Sequence, residues 1–296
     1  MFKNATLYRI APDWVAGFDQ VEQALSTQVF VECGASQEKS TGWVPPRGEQ
    51  HGALLEVIGG QWIARLMIET RTVPGDAITR ETDAQIKVLE QTRGRKPGKR
   101  ETREIKSDVR LALLPHAFSR QAAVWVWIDP QARLLVIDTA SQSIADQLVT
   151  ELVKVIDGLA VALIDTKVSP MAAMTTWLVT QEPPSGFSVD RECELKAADE
   201  SKAVVRYSRS PLDTDDVREH VESGKLPTQL ALTWNSRLSF VLTDKLTIKK
   251  VQFLDVVFEQ GTQLGEDSGF DCDVSIATSE MGKMIADLVC ALGGKV

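Results

Sequence analysis

A strongly basic segment, residues 93–120, constrains this chain most, because it gathers positive charge inside an acidic protein. The segment contains nine lysine and arginine residues against three acidic ones, whereas the whole chain has a formal net charge of -8. Segregated positive charge is typical of a surface that binds a polyanion. The alternative is a solvated helical surface without a partner, since runs of charge are often only wet surface.

The same region is predicted to form two polar helices. Residues 75–91 have a narrow apolar stripe, and a second helix is expected from Lys99 to Leu114, where Pro115 stops it. Between them, Gly94, Pro97 and Gly98 break the helical pattern. Two largely polar helices joined by a basic turn predict a projection that buries little by itself. Such a projection either stays in solvent or docks onto a partner, and a second copy of the chain is the simplest candidate.

The remaining chain predicts an α+β fold with mixed or antiparallel sheets, packed helices and this basic helical hairpin. Residues 34–52 are predicted to be a long connection, in which we expect Trp43 to anchor the loop to the core. The predicted strands cover residues 4–10, 29–33, 53–58, 61–71, 122–129, 133–139, 159–164, 203–207, 229–234, 237–243, 247–253 and 270–276, with another around Glu194. Helices are predicted for residues 13–28, 169–179 and 279–292, after Ser141 and after Asp213.

Shifts in composition predict three regions. Residues 1–73 and 115–168 together form a discontinuous central α+β region, and residues 74–114 form the inserted basic tip. A Pro- and Gly-rich stretch, residues 182–186, lies close to the start of a C-terminal α+β region that spans residues 169–296.

Composition also argues against several classes of protein. No apolar run approaches the roughly 20 residues of a membrane-spanning helix, and the N-terminus lacks the apolar core of a secretory signal, so a cytoplasmic protein is expected. The four cysteines are scattered and no histidine stands at a ligand spacing from them, which argues against structural zinc. No phosphate-binding or dinucleotide-binding glycine motif occurs. We therefore expect no cofactor.

One pair of acidic residues carries the only catalytic hypothesis. Asp271 and Asp273 stand two apart on a predicted strand, so their carboxylates would point the same way and share a Mg²⁺ ion, as in a nuclease. No recognisable nuclease motif supplies further carboxylates, and alternate acids on an exposed strand are common. No local motif suggests a nucleophile with its base. The sequence therefore favours a protein that is not an enzyme.

Three functions from different classes remain open. A sequence-independent DNA-binding protein is favoured by the segregated cations, and the predicted contacts are Arg93, Arg95, Lys96, Lys99, Arg100, Arg103, Lys106 and Arg120. A Mg²⁺-dependent DNA-processing nuclease and a protein-interaction scaffold without DNA binding are the alternatives. The scaffold would lack the steep salt dependence that phosphate contacts impose.

Four short motifs, in order and spread over essentially the whole chain, resemble the recombination-associated RdgC family of bacteria. They are GWVPP at residues 42–46, LLPHAFSR at residues 113–120, WID at residues 127–129 and ALGG at residues 291–294. No single motif is specific to the family. The resemblance depends on all four occurring in the same order and at compatible spacing.

The resemblance implies a function and a site. Proteins similar to RdgC form ring-shaped dimers around a positively lined hole, bind double-stranded and single-stranded DNA without sequence preference, and restrain RecA-mediated strand exchange. The resemblance thus implies a homodimer in the cytoplasm, associated with the nucleoid and not with a membrane. It implies that Phe118 lies at a contact that closes the ring, with Arg209 and Ser210 at the same closure. Ser210 is shorter than the polar residue that a relative has at this position.

Overall fold

Antiparallel strands and helices make up the chain in the computed structural model, which describes residues 2–15, 17–49, 51–259 and 269–296. The fold class is α+β, as predicted from the sequence. The strands are β1 Thr6–Ile10, β2 Lys39–Val44, β3 Leu55–Ile58, β4 Gln61–Arg71, β5 Ser119–Asp129, β6 Leu134–Ile137, β7 Val161–Leu163, β8 Phe187–Ala197, β9 Val204–Ser208, β10 Lys225–Trp234, β11 Leu238–Thr243 and β12 Ile248–Phe253. The helices are α1 Phe18–Ser26, α2 Gly75–Arg93, α3 Lys99–Leu113, α4 Gln142–Val155, α5 Pro170–Thr180, α6 Asp215–Glu222, α7 Asp255–Glu259 and α8 Phe270–Ala291.

The chain divides into two compact units. The first comprises Met1–Leu25, Pro45–Ala64 and Trp125–Val296, and the second comprises Ser26–Val44 and Arg65–Val124. Strands β4 and β5 each continue from one unit into the other. The three regions expected from composition remain a prediction.

The first unit contains most of the strands and a large apolar core. Strand β3 pairs with the start of β4 across Gly59 and Gly60, whose φ angles of 58° and 79° belong to a hairpin turn that favours glycine. The end of β5 pairs with β6, which pairs with β1, and β1 also pairs with β7. A five-stranded sheet follows in the order β12-β11-β10-β8-β9, with α5 and α6 packed on β10 and α8 on β11. Among the described helices, none is long and apolar enough to cross a membrane.

In the second unit, Trp43 is fully buried, which confirms that it anchors to the core. It sits in β2, which pairs with β4 so that Trp43 lies opposite Leu66 and Gly42 opposite Met67. The backbone of Phe30 passes directly over Gly42, and a Cβ atom on Gly42 would lie 2.3 Å from the Phe30 Cα. Glycine is therefore required for this close approach of two backbone segments.

Three sequence predictions around this region are wrong. The first helix begins at Phe18, not at Asp13, and Val15, which lies within the predicted helix, precedes the observed one and is 86% exposed. Residues 29–33 form no strand, since only an isolated bridge joins Val29 to Trp43. Residues 39–44, expected within a connection, are β2. The glycine and small polar residues of β2 do not favour a strand by themselves. This segment becomes a strand because it pairs with β4.

The strand predicted at residues 270–276 is also wrong, because these residues begin helix α8. Alternating Phe, Cys, Val and Ile side chains suggested a strand over a short window. Over a longer window, Val274, Met281 and Leu288 recur at helical spacing and are fully buried. The longer helical period determines the structure here.

Candidate nucleic-acid interface

The predicted pair of helices is present as α2 and α3, joined by a short basic turn. Helix α2 ends at Gly94, whose φ of 65° is left-handed and whose N–H donates to the carbonyl of Glu90 at 2.9 Å. This is the usual way in which glycine ends a helix. Gly98, in an extended conformation, precedes α3. The turn therefore presents Arg95 and Lys96 between the two helix ends.

The two helices pack on a small core of their own. Ile78 of α2 is buried with Ile105 and Val109 of α3, and partly buried apolar residues surround them. Thr82 is also buried and donates its hydroxyl to the carbonyl of Ile78 at 2.6 Å. This core is small, as predicted, but it fixes which side of α3 faces α2.

The charged residues of α3 fall on separate faces. At 100° per residue, Lys99, Arg103, Lys106 and Arg110 occupy an arc of about 60°. We call these four residues the α3 stripe. Glu101, Glu104 and Asp108 lie about 160° away from it, and the buried Ile105 and Val109 lie between the two on the remaining side. Helix α3 thus presents a row of cations about 16 Å long without an intervening carboxylate.

All nine cations of the basic segment are exposed, but four of them are held in ion pairs. Arg93 and Arg95 share Glu101, at 2.6 and 3.1 Å. Arg100 pairs with Glu104 at 3.0 Å on its own helix. Arg110 of the α3 stripe pairs with Glu38. Exposed pairs of this kind contribute roughly 0–1 kcal/mol, so a phosphate can compete for these arginines.

Five cations of the segment make no ion pair among the described residues, and therefore keep their full charge for a partner. They are Lys96, Lys99, Arg103, Lys106 and Arg120. Three of the five belong to the α3 stripe. The residues predicted to contact DNA do not include Arg110, although its spacing of four from Lys106 places it on the same face of α3.

Phe118 lies between a single 3₁₀ turn, Leu114–His116, and the start of β5, in a connection as predicted. Its side chain is 96% exposed, so within one chain it belongs to no core. A nearly fully exposed phenylalanine is unfavourable as free surface and typical of an interface anchor.

Arg209 and Ser210 lie directly after β9. Arg209 has a left-handed φ of 56°, and the N–H of Ser210 donates to the carbonyl of Arg191 at 3.3 Å. The Arg209 side chain lines a groove of about 370 Å³ together with Asp190, Glu192 and Lys250. The backbone around Arg209 is thus fixed, while its guanidinium stays exposed.

Comparison with known proteins decides the family. A family model described as "Putative exonuclease, RdgC" matches residues 1–295. The chain belongs to the RdgC family. A "Recombination-associated protein RdgC" of Cupriavidus pinatubonensis is 43% identical over 296 residues, which cover 99% of this chain and 98% of that protein. A protein of the same name from Dechloromonas aromatica is 39% identical over 100% of this chain and 98% of that protein. Another, from Herminiimonas arsenicoxydans, is 41% identical over 99% of this chain and 98% of that protein.

The two names attached to RdgC proteins differ on whether the family has an enzymatic activity. The relatives are named for recombination and not for an enzyme, whereas the family description mentions an exonuclease. In this chain Asp271 and Asp273 lie in the first turn of α8, so they do not project side by side from a strand. Asp271 pairs with Arg47 at 2.6 Å. Within the described residues, no three His, Cys, Asp or Glu side chains are grouped to hold a metal ion.

Proposed function

We propose that this RdgC protein binds DNA without sequence preference through the α3 stripe and the basic turn before it. The supporting observation is the separation of charge on α3, where four cations share one face and three acids lie on another. About 16 Å of duplex axis carries roughly ten phosphate charges, enough to engage the whole stripe. Lysine and arginine contacts to phosphate carry no base information, which is why the binding is independent of sequence.

The bound form is a ring-shaped homodimer that encloses the DNA. The exposed Phe118 and the exposed Arg209 are the contacts proposed to close it, with Ser210 beside Arg209. Burying Phe118 against a second chain removes a large apolar surface from water, which favours association. A closed ring retains DNA topologically as well as electrostatically.

In the cell, such a ring acts in recombination by restraining strand exchange. The names of the relatives support a role in recombination. A protein that occupies double-stranded and single-stranded DNA in the nucleoid blocks the RecA filament from the strands it must pair. The action is one of occupancy and not of catalysis, so neither Mg²⁺ nor another cofactor is required.

A pair of matched double variants tests the DNA-binding face. Arg103→Gln with Lys106→Gln removes two cations from the α3 stripe, and Arg80→Gln with Lys87→Gln removes two exposed cations from α2. The slope of log K against log salt on duplex DNA should fall by about 1.8 for the α3 variant, because each lost phosphate contact changes it by about 0.9. The assignment to α3 would be contradicted if the salt slope fell equally in both variants, or if it changed in neither of them.

The same preparations separate the alternatives. Incubation of labelled linear DNA with Mg²⁺ should leave its length unchanged, and shortening from one end would instead support an exonuclease. Affinities for two unrelated duplexes of equal length should agree within about twofold, since phosphate contacts do not read bases. Absence of any salt-dependent DNA binding would favour a protein-interaction scaffold.

A further inference from the structure

A cationic groove in the first unit lies away from the basic segment in the sequence. It has a volume of about 540 Å³ and is lined by Arg9, Arg133 and Lys295, while its other lining residues are alanine, isoleucine, valine and proline. None of the lining residues is acidic. Pockets of about 300–1,000 Å³ accommodate small ligands, and three cations without a carboxylate favour an anionic one.

The side chain of Arg133, one of the residues that line this groove, is held in place by backbone carbonyls. It has a left-handed φ of 51°, uncommon for a residue other than glycine. Its Nη1 donates to the carbonyl of Ala11 at 3.1 Å and also to that of Pro12. Only one of its terminal nitrogens is used in these bonds, so the guanidinium has further N–H groups for a ligand. A side chain fixed in this way loses little entropy on binding.

Two tryptophans line a second cavity that adjoins the first. This cavity has a volume of about 160 Å³, and it shares Ile10 and Arg133 with the larger groove. Trp62 is almost buried and packs edge-on against Phe18, with ring centroids 5.9 Å apart. Trp14 is only partly buried and lies in the segment whose carbonyls hold Arg133. An aromatic surface therefore lies beside the cations.

Among the described residues, no Asp or Glu side chain forms an ion pair with the cations of this groove. Asp129 precedes the turn between β5 and β6, and its Oδ1 accepts the N–H groups of Gln131 and Ala132 at 2.9 and 2.8 Å. Arg9 Nη1 already donates to a main-chain oxygen of Val296 at 2.9 Å, so Arg133 and Lys295 are the cations that remain for a ligand. Lys295 makes no ion pair among the described residues, so its charge remains available.

We propose that this groove binds an unpaired nucleotide of a DNA single strand, with the phosphate against Arg133 and Lys295 and the base against Trp14. Cations that follow a backbone, combined with aromatic side chains that stack on bases, are the recurring elements of single-strand binding sites. A paired base is already stacked within its duplex, so it does not reach Trp14. The inference rests on the proposed DNA binding but concerns different residues. It assigns single-strand binding, already part of the proposed function, to residues that are separate from the α3 stripe.

Substitution of Trp14 tests the stacking. Trp14→Leu keeps an apolar side chain but removes the aromatic face, and Trp14→Phe keeps that face. Affinity for a short oligothymidylate should fall about tenfold in the leucine variant and by less than about threefold in the phenylalanine variant, as for loss of one stacked base. Affinity for a blunt duplex should not change in either variant. Thermal unfolding of both variants checks that the fold is intact.

Substitution of Lys295 tests the phosphate contact. Lys295→Gln should lower the salt slope on the oligothymidylate by about 0.7, the value for one phosphate contact to a single strand, and leave the duplex slope unchanged. Unaltered single-strand affinity in Trp14→Leu, or equal losses on single-stranded and duplex DNA in Lys295→Gln, would overturn the proposal. If the unsubstituted protein binds no DNA at all, the proposed function itself has failed, and the two outcomes are therefore distinct.

Discussion

Arg110, the last cation of the α3 stripe, forms a bidentate ion pair with Glu38. Its Nε lies 2.6 Å from one carboxylate oxygen of Glu38 and its Nη2 lies 2.7 Å from the other. Both side chains are about half exposed, so the pair is accessible to water and to a competing phosphate. Glu38 therefore neutralises one end of the stripe in the free protein.

Glu38→Gln should strengthen DNA binding, because it frees Arg110 while nearly preserving the shape of the side chain. If Arg110 then gains one phosphate contact, the slope of log K against log salt should rise by about 0.9. The matched control is Glu104→Gln, which frees Arg100 away from the stripe and removes the same charge. Equal gains in both variants would show that net charge, and not the face of α3, determines the affinity.

Much of the fold could be predicted from local sequence. The hairpin at Gly59 and Gly60 and the helices on either side of Gly94 follow from turn residues and apolar periodicity. Strand β2 could not be predicted in this way, because glycine is unfavourable in most strands. Here Gly42 is needed because the backbone of Phe30 lies against it. That contact depends on tertiary structure, which no short window of sequence contains.

The candidate site also has one part that local sequence predicts and one part that only the tertiary structure brings together. The α3 stripe could be predicted, since its members recur at spacings of three and four in one continuous segment. The groove around Arg133 could not, because Arg9, Trp14 and Lys295 are brought together only by the pairing of β1 with its neighbours and by the return of the C-terminal residues to Arg9. In the sequence, each of these residues is an isolated side chain without a motif.

Gly42→Ala should destabilise the second unit. The added Cβ would lie 2.3 Å from the Cα and 2.5 Å from the N of Phe30, and backbone atoms cannot move aside as a flexible side chain can. Overpacking of this kind costs about 1–3 kcal/mol of unfolding free energy, measurable by denaturant titration. Gly34→Ala is the control, since its nearest neighbour is a side-chain oxygen of Gln37 at 3.6 Å. Comparable losses in the two variants would contradict the assigned role of Gly42.

Thr228 should stabilise the fold in a pH-dependent way through Glu194. Its hydroxyl donates to Glu194 Oε1 at 2.7 Å, and Arg206 donates to Oε2 at 2.6 Å. These bonds, the one from Thr228 first, lower the pKa of Glu194 below its usual value. The native state therefore binds fewer protons than the unfolded chain, so this stabilisation is present above the unfolded pKa and is lost as the pH falls through the folded one.

Thr228→Val should accordingly lower the free energy of unfolding by about 1.5–3 kcal/mol at pH 7, the range for a hydrogen bond to a charged group. The loss should shrink as the pH falls below about 4.3, the ordinary pKa of glutamate. Urea unfolding at pH 7, 5 and 3 measures it. In a Glu194→Gln background the pH dependence should disappear. A loss of equal size at every pH would mean that valine disturbs packing and that the carboxylate has no part in it.

Phe118→Ala should weaken the dimer while leaving each chain folded. The side chain is 96% exposed, so its removal should change the unfolding free energy by no more than about 0.5 kcal/mol, against the 3–5 kcal/mol expected of a core phenylalanine. Loss of an aromatic anchor worth about 2 kcal/mol raises the dimer dissociation constant about 30-fold. Sedimentation and thermal unfolding measure the two effects. Val153→Ala on α4, where the side chain is 45% exposed, is the control.

Ring closure predicts a further difference that simple dimerisation does not. With one contact opened, the Phe118→Ala variant should dissociate from circular DNA faster than the unsubstituted protein does. Its affinity for a short linear duplex should change little. Arg209→Ala should behave in the same way, because Arg209 is proposed to lie at the closure and its guanidinium is exposed. Dissociation rates from circular and linear DNA of equal sequence measure retention. A destabilised Phe118→Ala chain, or one that keeps the normal preference for circular DNA, would mean that Phe118 does not close a ring.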